Sequence, residues 1–218
     1  MLIGQFELPL YFEVIAVFLL AITGAMVASE KKYDFSGVFV LAFITGASGA
    51  IIRDGVFLSQ MPVIIEDWQY LASILVATII TPIFIYYIKK INLVFIIIDA
   101  LGLGLFAIIS TQMALKNDLN ILAAVLIGMV GAVSGGFLRD IFTKSEPLLL
   151  KPGQYYITAS LVGIILFAIL TSYISVNAQI SAILSIALIF LIRMLSYAFN
   201  WRTFPAINLS QKIFKKNK

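Results

Sequence analysis

The sequence has no cysteine and no histidine. The first absence removes disulfides and thiolate nucleophiles; the second removes imidazole acid–base chemistry and the usual zinc ligands. Charge is scarce as well: Asp, Glu, Lys and Arg make up 12% of the 218 residues, while 61% are hydrophobic. The 11 carboxylates leave carboxylate chemistry possible, but no pattern signals it. No enzyme activity, cofactor or resident metal is expected. Nothing early reads as a cleaved leader. Acids (Glu7, Glu13) rather than bases precede the first apolar run, which opens a series of similar runs.

What is present in excess is apolar surface. Mean hydropathy is +1.05, more than a soluble domain of this size can hide, because small globules keep much of their surface in water. Apolar runs of spanning length, about 20 residues each, fall at 8–28, 36–57, 70–88, 93–115, 121–142, 155–173 and 180–200. Short polar breaks separate them, such as Glu30-Lys31-Lys32-Tyr33-Asp34 and Lys116-Asn117-Asp118. An all-α membrane protein of seven spans is expected. With the N-terminus outside, Lys31, Lys32, Lys89, Lys90, Arg139, Lys144, Lys151, Arg202, Lys212, Lys215, Lys216 and Lys218 lie on the inner side. Arg53 and Lys116 lie outside and Arg193 lies within the last span. Basic residues favour the cytoplasm, so the expectation is a cell-membrane protein with its N-terminus out and C-terminus in. The net charge of +4 thereby has a use other than nucleic acid, which is not expected as a partner. The basic tail can touch anionic membrane lipids.

The chain repeats itself at an offset of 86 residues. Ser48-Gly49-Ala50-Ile51-Ile52-Arg53-Asp54 lies on Ser134-Gly135-Gly136-Phe137-Leu138-Arg139-Asp140, and upstream Glu13 lies on Asp99 and Ala21-Ile22 on Ala107-Ile108. Downstream, with one residue deleted, Tyr70 falls on Tyr155. The expected units are 1–92, 93–176, and a seventh span with basic tail at 177–218. Three spans per unit is an odd number, so the second copy must run through the membrane in the opposite sense. Inverted repeats of this kind build a pathway at their interface.

Ionisable residues within spans are functional candidates because each costs several kcal/mol, on the order of 2.5–3.5, unless paired or wetted. Helix direction puts Glu13, Arg53 and Asp54 near one face and Asp99, Arg139 and Asp140 near the other. Neighbours on a helix diverge by about 100°, so Glu13 with Arg53 and Asp99 with Arg139 are the expected pairs at the two mouths. The competing reading is interfacial charge reaching out to water. Ser48, Gly49 and Ala50, with Ser134, Gly135 and Gly136, either let helices pack closely or bend and unwind them to free carbonyls toward a cation. Arg193 either pairs across helices or reaches for the inner face.

An acid opening the first and fourth spans, small residues within them, and a glycine-rich stretch ending in Arg-Asp in the second and fifth resemble the prokaryotic TRIC family. These are homologues of the trimeric intracellular cation channels, also catalogued as bacterial glycine transporters. The resemblance covers about residues 10–200. It implies a homotrimer with one pore per subunit among spans one, two, four and five, bent at the glycines and passing monovalent cations such as potassium. The alternative is a secondary transporter of a small zwitterion such as glycine. Two departures stand out: Gly49-Ala50 replaces a glycine run, and Ser110-Thr111 stands where the first span has Gly24-Ala25.

The topology is testable directly. A reporter fused after Lys218 and one inserted at 116–118 should report opposite sides of the membrane, the first of them cytoplasmic. Both reporters on one side would remove the inversion.

Overall fold

The computed structural model describes residues 8–87, 91–150 and 155–201. Lys89, Lys90, Lys151 and the basic tail from Arg202 to Lys218, which the charge count used, lie outside them. The helices are α1 (Leu10–Glu30), α2 (Phe35–Ile51), α3 (Val63–Glu66), α4 (Trp68–Ile85), α5 (Ile91–Lys116), α6 (Ile121–Phe142), α7 (Tyr156–Ser172) and α8 (Ala178–Ala198). Six are long and apolar enough to cross a membrane, α2 being counted with the helical turns that continue it to Phe57. At 17 residues with no such continuation, α7 is shorter, about 25 Å at the usual helical rise. Together they make an inverted repeat of three spans plus three, with α8 as a seventh. No strand occurs among the described residues. The short α3 occupies what reads in sequence as an irregular break after Pro62.

The repeat is visible in the local chemistry that starts and stops each helix. Lys32 and Asp118, 86 residues apart, both take left-handed backbone at φ 58° and 56° and end α1 and α5. Two residues on, the side chain of Asp34 accepts from the Gly37 amide at 2.8 Å and that of Asn120 from the Ala123 amide at 2.9 Å. These are the N-caps of α2 and α6, each satisfying an amide that has no partner within its helix.

Helices α1, α2, α5 and α6 form the centre; α4 packs on α1 and α2, and α8 on α5 and α7. Where α2 crosses α6 the contact is reciprocal. A Cβ on Gly49 would lie 2.8 Å from the Gly131 carbonyl oxygen and 3.0 Å from the Phe106 ring. A Cβ on Gly135 would meet the Thr45 carbonyl oxygen and lie 3.1 Å from Leu20. Thr45 and Leu20 are the repeat equivalents of Gly131 and Phe106. Both contacts are close approaches of backbone that only glycine permits.

The departure at Ser110-Thr111 has its explanation here. In the first repeat Gly24 of α1 faces Thr45 of α2; in the second, Ser110 of α5 faces Gly131 of α6. Gly128 likewise gives way to Thr111, where the first repeat has Ala42 and Ala25. Bulk has moved from one helix to its neighbour and the pair keeps its spacing.

The expectation of unwinding at the glycines needs correction. Helices α2 and α6 run unbroken through Ser48–Ala50 and Ser134–Gly136, so those carbonyls stay in their ladders. The glycines admit a neighbouring helix rather than unwinding their own. The hydrogen-bond pattern does change one turn later in the first repeat only: Ile52–Phe57 is π-helical, with the Leu58 amide donating to the Arg53 carbonyl at 3.0 Å. In the second repeat the α pattern persists, the Thr143 amide donating to Arg139 at 3.1 Å. Side chains such as Ile79, Ile83, Ile183 and Leu191 give the spans an exposed apolar surface, and exposed Trp68, Tyr86, Tyr87 and Tyr173 sit at helix ends, as aromatics do at a membrane interface.

Gly131→Thr should destabilise the protein by about 1–3 kcal/mol through overpacking against Ser110. Adding Ser110→Gly rebuilds the arrangement of the first repeat and should recover most of the loss in thermal unfolding in detergent. A double variant no more stable than Gly131→Thr alone would show that exchanged bulk is not what fits these helices together.

Candidate functional site

The buried charges gather into two clusters. In the first, Arg53 Nη1 lies 2.7 Å from Glu13 Oε1, and its Nε and Nη2 grip Asp54 at 2.5 and 2.9 Å. Tyr70 at the start of α4 donates its hydroxyl to Glu13 Oε2 at 3.2 Å, and Asp54 Oδ2 accepts from the Val63 amide at 3.1 Å. In the second, Arg139 Nη1 lies 3.1 Å from Asp99 Oδ1 and its Nε donates to Asp140 at 2.9 Å. Arg139 also donates to Thr23 of α1 at 2.9 Å and rests on the Phe95 ring at 4.7 Å. Asp140 Oδ2 accepts from the Leu148 amide at 2.9 Å.

The expected cross-helix pairs, Glu13 with Arg53 and Asp99 with Arg139, are thus formed. The expectation that sequence neighbours cannot pair is wrong at both ends: Arg53 binds Asp54 and Arg139 binds Asp140. The 100° divergence describes Cβ directions, whereas an arginine is long enough to curl over its own helix and present two nitrogens to a neighbouring carboxylate. The charge count changes accordingly: Arg53 and Arg139 are buried in clusters and leave the tally by one on each side. Tyr70 also has a different equivalent from the one expected. Tyr156, not Tyr155, stands buried among Asp99, Arg139 and Arg193, so the 86-residue offset holds at this tyrosine. The consecutive tyrosines had made the alignment ambiguous.

Arg193 pairs across helices. Its Nη2 lies 3.3 Å from Asp99 Oδ2 and its guanidinium stacks 4.5 Å from the Tyr156 ring centre. Among the described residues nothing in the first cluster corresponds to it. Glu13 and Asp54 against Arg53 leave one formal negative charge there; Asp99 and Asp140 against Arg139 and Arg193 leave none.

A cavity opens beside each cluster. One of about 310 Å³ is lined by Glu13, Tyr70, Gln112 and Lys116, with the start of α1. The other, about 230 Å³, is lined by Glu30, Lys31, Asn92, Asp140 and Glu146. They sit at opposite ends of α1 and α5, and Gln112 and Lys116 in one stand at the repeat positions of Met26 and Glu30 in the other. Between them the core is filled by the α2–α6 crossing, with Leu20 and Phe106 fully buried. Among the described residues no group of His, Cys, Asp and Glu is arranged to hold a metal ion.

An inverted repeat of apolar spans with a compensated arginine at each end of a glycine-packed four-helix centre defines a class: the multi-pass membrane proteins with two-fold pseudosymmetry in the membrane plane. Within that class the family model described as Glycine transporter matches this chain twice, at residues 10–86 and 96–172, stretches themselves displaced by 86 residues. A UPF0126 membrane protein of Vibrio cholerae is 32% identical over 173 residues, covering 78% of this chain and 72% of the relative. The chain superposes on the TRIC trimeric intracellular cation channel orthologue from Rhodobacter sphaeroides with a TM-score of 0.82 at 28% identity, over 88% of this chain and 97% of that one. A prokaryotic TRIC channel in 0.5 M KCl matches with a TM-score of 0.80 at 27% identity, over the same shares. The chain belongs to this UPF0126 family, the prokaryotic TRIC family.

Removing one partner of a buried ion pair leaves the other uncompensated, at about 3–5 kcal/mol. Arg53→Ala leaves two carboxylates without the arginine they share, whereas Arg139→Ala leaves Arg193 in place on Asp99. Arg53→Ala should therefore lower unfolding stability more than Arg139→Ala, and Glu13→Gln should recover part of the loss. Equal losses with additive double variants would mean that neither cluster is coupled.

Proposed function

We propose that each copy of this chain forms a pathway for monovalent cations, potassium among them, within a homotrimer of the cell membrane. The observation that carries this reading is the pair of acid-lined cavities at opposite ends of one four-helix core. Carboxylates at a mouth raise the local concentration of cations, and the glycine crossing between the cavities is where two spans could separate with little side chain to clear. Glu13, Arg53 and Asp54 at one mouth, and Asp99, Arg139 and Asp140 at the other, act as the gates in this reading. Ser48, Gly49, Ala50, Ser134, Gly135 and Gly136 lie along the path. The similar solved structures are described as a trimeric intracellular cation channel orthologue and as a TRIC channel in 0.5 M KCl, which supports both the ion and the assembly. The two repeats, 1–92 and 93–176, are the moving units, with 177–218 carrying α8 and the tail. The N-terminus lies outside in this reading.

A second reading is a carrier of a small zwitterion. The filled centre between the cavities favours it, since alternating access needs a closed midplane, and so does the description of the family as glycine transporters.

Recording from the purified protein in planar bilayers separates the two. A channel should give unitary potassium currents far above about 10³ ions per second, faster than turnover typical of enzyme-like cycles. Saturable glycine uptake into vesicles without unitary currents would replace the channel with the carrier.

A further inference from the structure

The two halves of the chain are equivalent in fold and unequal in charge, and one side chain makes much of the difference. Asp99 receives Arg139 on one carboxylate oxygen and Arg193 on the other, at 3.1 and 3.3 Å. Its counterpart Glu13 receives one arginine and a tyrosine hydroxyl. Arg193 comes from α8, the helix with no partner in the repeat. It is 1% exposed, its position held by the Tyr156 ring and by the packing of α8 on α5 and α7.

We propose that Arg193 is a positioning residue through which α8 makes an otherwise symmetric cation pathway electrically directional. Bound to Asp99, it cancels the negative charge that the second mouth would share with the first, so cations meet a weaker attraction at that end. This rests on the channel reading above. The rims add charges of their own, Lys116 beside the first cavity and Glu30, Lys31 and Glu146 beside the second. The change on substitution, rather than the native ratio of currents, therefore reports Arg193.

The test is the ratio of potassium currents at equal and opposite voltages, in excised patches where all copies share one orientation. Arg193→Gln should raise the current that comes in through the Asp99 end by about three-fold, the effect of one unit charge roughly 6 Å from an ion in water. Arg193→Lys should leave the ratio near native. Glu13→Gln should shift the ratio in the same direction as Arg193→Gln, by lowering the current from the other end, so the proposal stays open to refutation if the α8 variant does not fold. An unshifted ratio in either neutral variant, or shifts of opposite sign in the two, would overturn the role of Arg193 while leaving the channel intact. A native chain that carries no unitary current would overturn the channel reading and this inference with it.

Discussion

An arginine buried between membrane-spanning helices must bring its compensation with it, and much of this molecule is arranged to provide it. Water is not available to hydrate the guanidinium, and an unpaired charge there costs several kcal/mol. Arg53 and Arg139 each take a carboxylate from a facing helix and another from the next residue of their own. Those requirements fix which part of α1 lies against α2 and which part of α5 against α6. They extend into the connecting segments, because Oδ2 of Asp54 and of Asp140 also accepts from the amides of Val63 and Leu148 respectively. One cluster thus sets a helix pair, the entrance to the following span and the floor of a cavity.

The second constraint is steric. Apolar helices in lipid gain little from hiding apolar surface, so close packing has to hold them together. The α2–α6 crossing supplies it with a glycine from each helix placed against a backbone carbonyl of the other. Around it, the repeats solved one volume problem in opposite ways, Gly24 facing Thr45 and Ser110 facing Gly131. Two-fold symmetry is a property of the packed shape here, and individual residues are free to break it so long as the sum across a contact is kept.

In the proposed channel, function and stability meet at these same positions. The cavities end on the ion clusters and are separated by the glycine crossing, so opening a path between them would mean loosening the contacts that hold the centre. In the first repeat the π-helical turns at Ile52–Phe57 place Arg53 and Asp54 on a stretch whose hydrogen bonding already differs from that of its counterpart. Such turns are common at functional sites, and the two ends are consequently unequal in backbone as well as in charge.

By itself, the sequence determined the solvent, the number of spans and the repeat. Apolar runs of spanning length admit one environment, and an odd number of spans per copy inverts the second. It also marked Glu13, Arg53, Asp99 and Arg139 as partners, because a charge inside a span needs one and the 86-residue offset repeats the arrangement. Tertiary structure decided the rest. Whether an arginine curls onto its neighbour depends on side-chain reach rather than helical phase, which is why Asp54 and Asp140 were not legible as partners. Whether glycines break a helix or admit another depends on what lies opposite, and here that is a carbonyl from a span far away in sequence. The partner of Arg193 was set in the same way: its acid lies 94 residues upstream, brought within reach by the packing of α8 on α5, and no local pattern carries that contact.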